Sequence, residues 1–304
     1  MASNKVVATE GTTGDTDFTT ADVSQLRQVV RRFRRHRLAL ISSFVLMVMV
    51  GLAVFAPFIG RYNPDTINLL LIQQPPSFAH WLGTDLNGRD VFSRLLYGGR
   101  ISLSVGIVAV SIGTVIGCLL GGSAGYLGDR VDTIVMRVTD VFMAFPSLII
   151  IITVAAFVGP GLYDTMLLLG IFGWMGICRL VRGQILVLRE SPYVEAAQAL
   201  GAPPWWVIFR HLLPNVVGPI VVAATFGIAD AILTEAALSF LGLGVQEPTP
   251  SWGNMLQAAS GLSELQSMPW LWLPPGFMIF LAVISINFMG DGLRDAMDPR
   301  TKIS

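Results

Sequence analysis

Asp230, Glu235 and Asn287 interrupt stretches of sequence that are otherwise almost pure hydrocarbon. Inside a bilayer such groups can relay protons, meet a polar solute or hydrogen-bond a neighbouring helix. Asp230 and Glu235 are five residues apart, so on a helix they point to different faces and cannot share one proton as a carboxylate pair. Each is expected to bond a neighbouring helix or to touch a passing polar solute. Other chemistry finds no support. The two lysines, Lys5 and Lys302, follow Asn4 and Thr301, so the phosphate-cradling pattern GxxxxGK[ST] cannot occur. His36, His80 and His211 have neither metal-ligand nor catalytic-triad spacing. Cys118 and Cys178 sit in apolar runs without a CxxC pair and read as small packing residues. DLNGRD (85–90) approaches a calcium loop but lacks its bidentate Glu and full spacing. No catalytic residue, metal site or cofactor is expected in this chain.

The elements that must hold these groups follow from composition. Of 304 residues, 53% are hydrophobic and 13% charged, about half the charged share of a soluble domain, and the mean hydropathy is +0.65. An all-α integral membrane protein is implied, because the period-two alternation of a barrel is absent and a spanning chain must satisfy its own backbone. Six stretches reach the roughly 20 apolar residues a crossing needs: 38–59, 101–125, 134–157, 165–185, 214–241 and 271–290. With the N-terminus inside, 16 of the 20 Lys and Arg fall on the inner side, and Arg61, Arg89, Arg94 and Arg100 fall outside. That bias places both termini in the cytoplasm, with 61–100 and 242–270 as outward loops, 190–213 as a cytoplasmic loop and the transmembrane domain over 38–304. Residues 1–23 are small and polar without an apolar signal core, and read as a disordered tail. Residues 24–37 (SQLRQVVRRFRRHR) form a basic amphipathic juxtamembrane helix suited to anionic membrane lipid, with no case for nucleic acid. Gly113, Gly117, Gly121 and Gly125 recur every fourth residue, the spacing of a close helix–helix seam. Pro146 is expected to kink the third span.

The cytoplasmic loop is the most unusual segment. YVEAAQALGAPPWWVIFRHLLPNV (193–216) places Glu195, Gln198, Arg210, His211 and three prolines between two spans. It reads as a short alanine-rich helix to Gly201, which suits a positive-φ terminus, and a second element from Ala202 through Arg210 to Pro214. A compact helix projecting below a bilayer is suited to a groove on a cytoplasmic partner.

EAAQALG, with HLLP nine residues on, resembles the EAA loop of permease subunits of ATP-binding-cassette (ABC) importers. HWLGTDLNGRDVFSRLLYGGRISL (80–103), EAALSFLGLGVQEPTPSWGNML (235–256) and GDGLRDAMDPR (290–300) are similar to the C-type permease of the dipeptide/oligopeptide/nickel importers. Pro203-Pro204 departs from the small-polar pair usual after the EAA glycine. The resemblance implies a type I importer permease fold of six transmembrane helices in a bacterial or archaeal plasma membrane. It also implies as partners a second, B-type permease, two ABC ATPases that carry Mg-ATP, and an external substrate-binding protein. Glu195, Ala196, Ala197, Gly201, Arg210, His211 and Pro214 would then couple the chain to an ATPase, and Asp230, Glu235 and Asn287 are the pathway candidates. Peptides are the expected cargo; nickel complexes, glutathione or oligosaccharides are alternatives. A proton-coupled secondary transporter would want facing carboxylates or inverted repeats, and neither is visible.

Overall fold

The computed structural model describes residues 25–297; the expected tail at 1–23, with Arg300 and Lys302, lies outside them. The chain begins with α1 (Gln25–Phe33), α2 (Arg37–Val54) and α3 (Ala56–Ile59). After an irregular segment come α4 (Val91–Leu127), α5 (Asp129–Met143), α6 (Ser147–Val158), α7 (Leu162–Phe172) and α8 (Met175–Leu188). α9 (Pro192–Ala199) and α10 (Pro204–Val207) lead through a π-helical turn, Ile208–Leu212, into α11 (Leu213–Phe240). α12 (Trp252–Ala258), α13 (Leu262–Ser267) and α14 (Pro269–Met297) complete the described chain, in which one isolated bridge, Thr84–Asp90, is the sole extended pairing. Three α-helix starts are fixed by side chains, that of α12 by a Ser251–Asn254 capping box. The His36 ring accepts the Ala39 N–H at 3.1 Å, and the Asp90 carboxylate accepts the Ser93 N–H at 2.8 Å.

Five stretches, 37–54, 91–127, 162–188, 204–240 and 269–297, are long and apolar enough to cross a membrane. A sixth is the pair α5–α6, bent by 85°. The single kinked span expected at 134–157 is therefore broken. Pro146 has no N–H and pushes Phe145 out of helical geometry, so a new helix begins with Pro146 as its cap. The span expected at 165–185 is interrupted at Gly173–Trp174, between α7 and α8. The element expected to stop at Pro214 instead runs on into the fifth span. There the Leu213 N–H reaches back five residues to the Ile208 carbonyl, a register shift made immediately before a proline that has no N–H to offer.

α4 organises the bundle. At 37 residues it is about 55 Å long, well beyond a hydrocarbon core of about 30 Å. Its glycine stripe faces α7–α8: Gly113 lies against Gly170 and Gly173, Gly117 against Trp174 and Ile177, Gly121 against Cys178, and Gly125 against Arg182 and Ile185. Numbers rise together along this seam, so α4 and α7–α8 run parallel, and α5–α6 must carry the chain back across. Against α11 the order reverses, Ser102 pairing with Glu235 and Gly122 with Ile208. α2 and α14 are antiparallel too, since Gly292 packs on Ala39 at the start of α2. The start of α2, the end of α8, the start of α11 and the end of α14 thus gather at one end of the bundle.

The opposite end is closed by a polar clamp. Arg89, 4% exposed, donates from Nη1 and Nη2 to the two Glu247 carboxylate oxygens at 2.8 and 2.7 Å, and from Nε to Asp85 at 2.7 Å. Arg94 adds a 3.2 Å contact to Glu247 and another to the Pro64 carbonyl. Burial alone would raise the Glu247 carboxyl, but the hydrogen bonds and charge of Arg89, with the charge of Arg94, outweigh it and hold the group below the usual carboxylate range. Beneath the clamp the wholly buried Trp252 donates its indole N–H to the Leu95 carbonyl at 3.1 Å, and its ring covers Gly98 and Gly99.

Two predictions follow from this packing. A Cβ at Gly117 would sit 2.9 Å from Ile177, and one at Gly121 would meet the Cys178 carbonyl oxygen. Gly117→Leu and Gly121→Leu should each cost at least the ~1–3 kcal/mol of overpacking, with Gly121→Leu the worse. Their thermal midpoints in detergent check this; wild-type midpoints would refute the seam. At the clamp, a folded-state pKa below the unfolded one gives stability that is complete above the ordinary glutamate range and is lost as pH falls through the depressed value. Glu247→Gln should lose about 1–3 kcal/mol at pH 7, and its deficit against wild type should shrink as the pH approaches 4. A deficit independent of pH would overturn this assignment.

Candidate functional site

The loop between α8 and α11 is built on an apolar root. Ser191 precedes α9 in an extended conformation, Pro192 occupies its first turn, and Val194 and Ala197 are its buried positions. Both pack into a cluster with Val181 and Ile185 of α8, Val207 of α10, Ile208 and Leu212 of the π turn, and Val216 of α11. Gln198 donates to the Tyr126 hydroxyl at 3.1 Å, which fastens α9 to the last turn of α4. The helix ends in a Schellman motif: Ala202 N–H bonds the Ala197 carbonyl at 3.1 Å and Gly201 N–H bonds the Gln198 carbonyl at 2.9 Å. Gly201 has φ +77°, where a Cβ is strained, although open space surrounds it within this chain.

The remaining surface of α9 points away from the bundle. Glu195, Ala196, Ala199 and Leu200 are exposed, Leu200 to 89%. Arg210 and Pro214 are exposed as well. His211 is wedged beside Trp206 and Tyr193, with ring centroids 4.5 and 6.3 Å away, and its Nε2 is buried without a hydrogen-bond partner among the described residues. The structure thus brings all seven loop candidates to one end of the bundle, with Ala197 turned inward and the others at or near the surface.

The three intramembrane polar residues do not converge. Glu235 is fully buried; Ser102 and Ser239 donate their hydroxyls to its carboxylate at 2.9 and 2.7 Å, and the Trp252 N–H joins Ser102 at 3.2 Å. It ties α4, α11 and α12 together. Asn287 donates to the Val283 carbonyl of its own helix at 3.0 Å and also stands apart. Asp230 alone faces an opening, a cavity of about 250 Å³ bordered by Ser147, Phe172, Gly173, Gly176 and Thr234.

Some polar structure had no signature in the sequence. The Arg89–Glu247 pairing joins residues 158 apart. Asp132 and Asp140 of α5 pair with Arg182 and Arg179 of α8, so two of the inner-side arginines are internally neutralised. The break before α8 did have a local signal, since Gly170, Gly173 and Gly176 recur every third residue around it.

Comparison with known proteins accounts for this arrangement. Residues 113–303 match the family described as binding-protein-dependent transport system inner membrane component, and residues 24–76 match the N-terminal TM domain of oligopeptide transport permease C. The chain is 41% identical to the oligopeptide transport system permease protein OppC of Bacillus subtilis (strain 168), over 92% of this chain and 91% of that protein. It is also 41% identical to the dipeptide transport system permease protein DppC of Alkalihalophilus pseudofirmus, with the same coverage. The glutathione transport system permease protein GsiD of Pectobacterium atrosepticum is 42% identical, over 91% of each chain. Among solved structures, a chain of the MetNI methionine ABC transporter in inward-facing conformations superposes with a TM-score of 0.53 at 21% identity, covering 67% of this chain and 97% of its own; that likeness shows a shared fold. The chain therefore belongs to the binding-protein-dependent transport system inner membrane components, as a C-type permease subunit of an ABC importer.

Proposed function

We propose that this subunit forms half of a peptide pathway in a bacterial or archaeal inner membrane, paired with a B-type permease, and that α9 couples it to one of two ABC ATPases. The supporting observation is the construction of α9. Its buried face is rooted in α8, α10 and α11, while its other face and the Leu200–Gly201 tip are exposed among the described residues. A push on that tip is delivered to the end of one span, the start of the next and, through Tyr126, the end of α4. ATP is bound and hydrolysed by the ATPases, so the nucleotide and its magnesium belong to the partners. The end of the bundle bearing α9 is the cytoplasmic one, as the inner-side excess of arginine requires, and the clamped end receives the substrate-binding protein. Exposed Arg31 of α1, with Arg34 and Arg35 in the turn that follows it, rests on anionic lipid. Peptides are the cargo that best fits relatives named for oligopeptides, dipeptides and glutathione, the last itself a peptide. Asp230 is the pathway residue in this reading, and Glu235 and Asn287 are structural.

Gly201→Asp should leave the spans folded and inserted, but it strains the Schellman turn and sets a charged side chain on the docking tip. Uptake by the reconstituted complex, and the stimulation of ATP hydrolysis by loaded binding protein, should both fall at least tenfold, equivalent to about 1.4 kcal/mol of lost coupling. Full stimulated hydrolysis together with full uptake would show that α9 does not couple. Orientation is checked separately in a background without Cys118 and Cys178. Ser77→Cys and Ser263→Cys should react with an impermeant thiol reagent added outside intact cells, and Ala199→Cys only after permeabilisation; labelling of Ala199→Cys in intact cells would invert the topology.

A further inference from the structure

Two helix interruptions and one unpaired carboxylate meet at the same cavity. Ser147 begins α6 just after the 85° break, Gly173 ends α7 just before α8, and both border the opening that Asp230 faces from α11. Irregular backbone within a bilayer is tolerated where it is buried in protein or lines a wet cavity, and broken helices at that depth mark solute sites in transporters. Asp230 lies ten residues before the end of α11, about 15 Å along the axis and so near the middle of a hydrocarbon core of about 30 Å. Among the described residues no donor reaches its carboxylate; the Thr234 hydroxyl donates to its backbone carbonyl, at 2.8 Å, and not to the side chain. The nearest cations along α8, Arg179 and Arg182, are committed to Asp140 and Asp132. Other lining groups are hydroxyl, glycine or apolar. Asp230 is exposed at this opening, a carboxylate with no partner among the described residues, and a transiting cation would supply one.

We propose that Asp230 is the counter-charge for the α-ammonium group of a peptide in transit. This rests on the peptide-pathway reading given above. The cavity's 250 Å³ is below the roughly 300–1,000 Å³ of pockets that enclose a whole small molecule, and it suits one charged end of a peptide whose remainder occupies the space between two permeases. The contact is a single long-reach ion pair without a fork of hydrogen bonds, which lets the peptide leave inward and makes no demand on its side chains. A cargo class defined by its amino terminus, not its sequence, is the consequence.

The test uses the full complex in proteoliposomes with saturating loaded binding protein, a labelled dipeptide with a free amino terminus, and the variants Asp230→Asn, Asp230→Glu and Asp230→Cys. Asp230→Asn should lower uptake about tenfold or more, the loss expected of a desolvated charge pair, while binding-protein-stimulated ATP hydrolysis stays within about twofold of wild type. Asp230→Glu should recover most of the uptake. Asp230→Cys, in the background without Cys118 and Cys178, should be inactive until a sulfonate-bearing thiol reagent restores the negative charge, and an ammonium-bearing reagent should not restore it. Wild-type uptake by Asp230→Asn overturns the proposal while leaving the peptide pathway intact. Loss of stimulated hydrolysis in both Asp230→Asn and Asp230→Glu assigns Asp230 a structural role and overturns it too. A wild-type complex that moves no peptide overturns the pathway reading itself.

Discussion

Where Gly121 meets the carbonyl of Cys178, two helix backbones approach so closely that no side chain fits between them. In lipid, apolar surface gains nothing by leaving hydrocarbon for protein, so association rests on dispersion contacts and on how near the backbones can come. The α4 seam with α7–α8 supplies that nearness over four turns. Once it is set, α4 offers its other faces to α11 and α2. Its first turns carry Arg94 and the groove for Trp252, and its last turns carry Tyr126, the anchor of α9. One parallel pair of helices therefore connects the clamped end with the loop end.

Polar groups along this frame divide into those that are satisfied and those left waiting. Glu235 has two serine hydroxyls and no exposure; it fixes the angle between α4 and α11. Asp230, five residues earlier on the same helix, has neither. The same contrast separates the two faces of α9, one locked by Val194 and Ala197, the other presenting Leu200 to solvent. In both places the fold is complete on one side and unfinished on the other, which is how a subunit that works in an assembly differs from one that works alone.

The spans were legible because each needs a long apolar run. The α9 helix and its Gly201 terminus were legible because alanine propensity and a glycine stop are local signals. Breaks were read too weakly: Pro146 promised a kink, and the 85° turn depends on where α7 and α11 leave room for α6. A bond to a neighbouring helix was one of two roles the sequence offered Glu235, but its partner was not legible, since Ser102 lies 133 residues away. Pro203-Pro204, a departure from the loop's usual pattern, proves locally orthodox: Pro203 caps α10 and Pro204 takes its first position.

The pairing of α5 with α8 bears on how the chain enters the membrane. α5 carries Asp129, Arg130, Asp132, Arg137 and Asp140 within fifteen residues, and α5 and α6 pass as a span only together. The partners that relieve two of them, Arg182 and Arg179, emerge from the ribosome 50 and 39 residues after Asp132 and Asp140. Those two ion pairs can therefore form only once α7–α8 has been made, so the final seating of α5 depends on a segment that follows it in the chain.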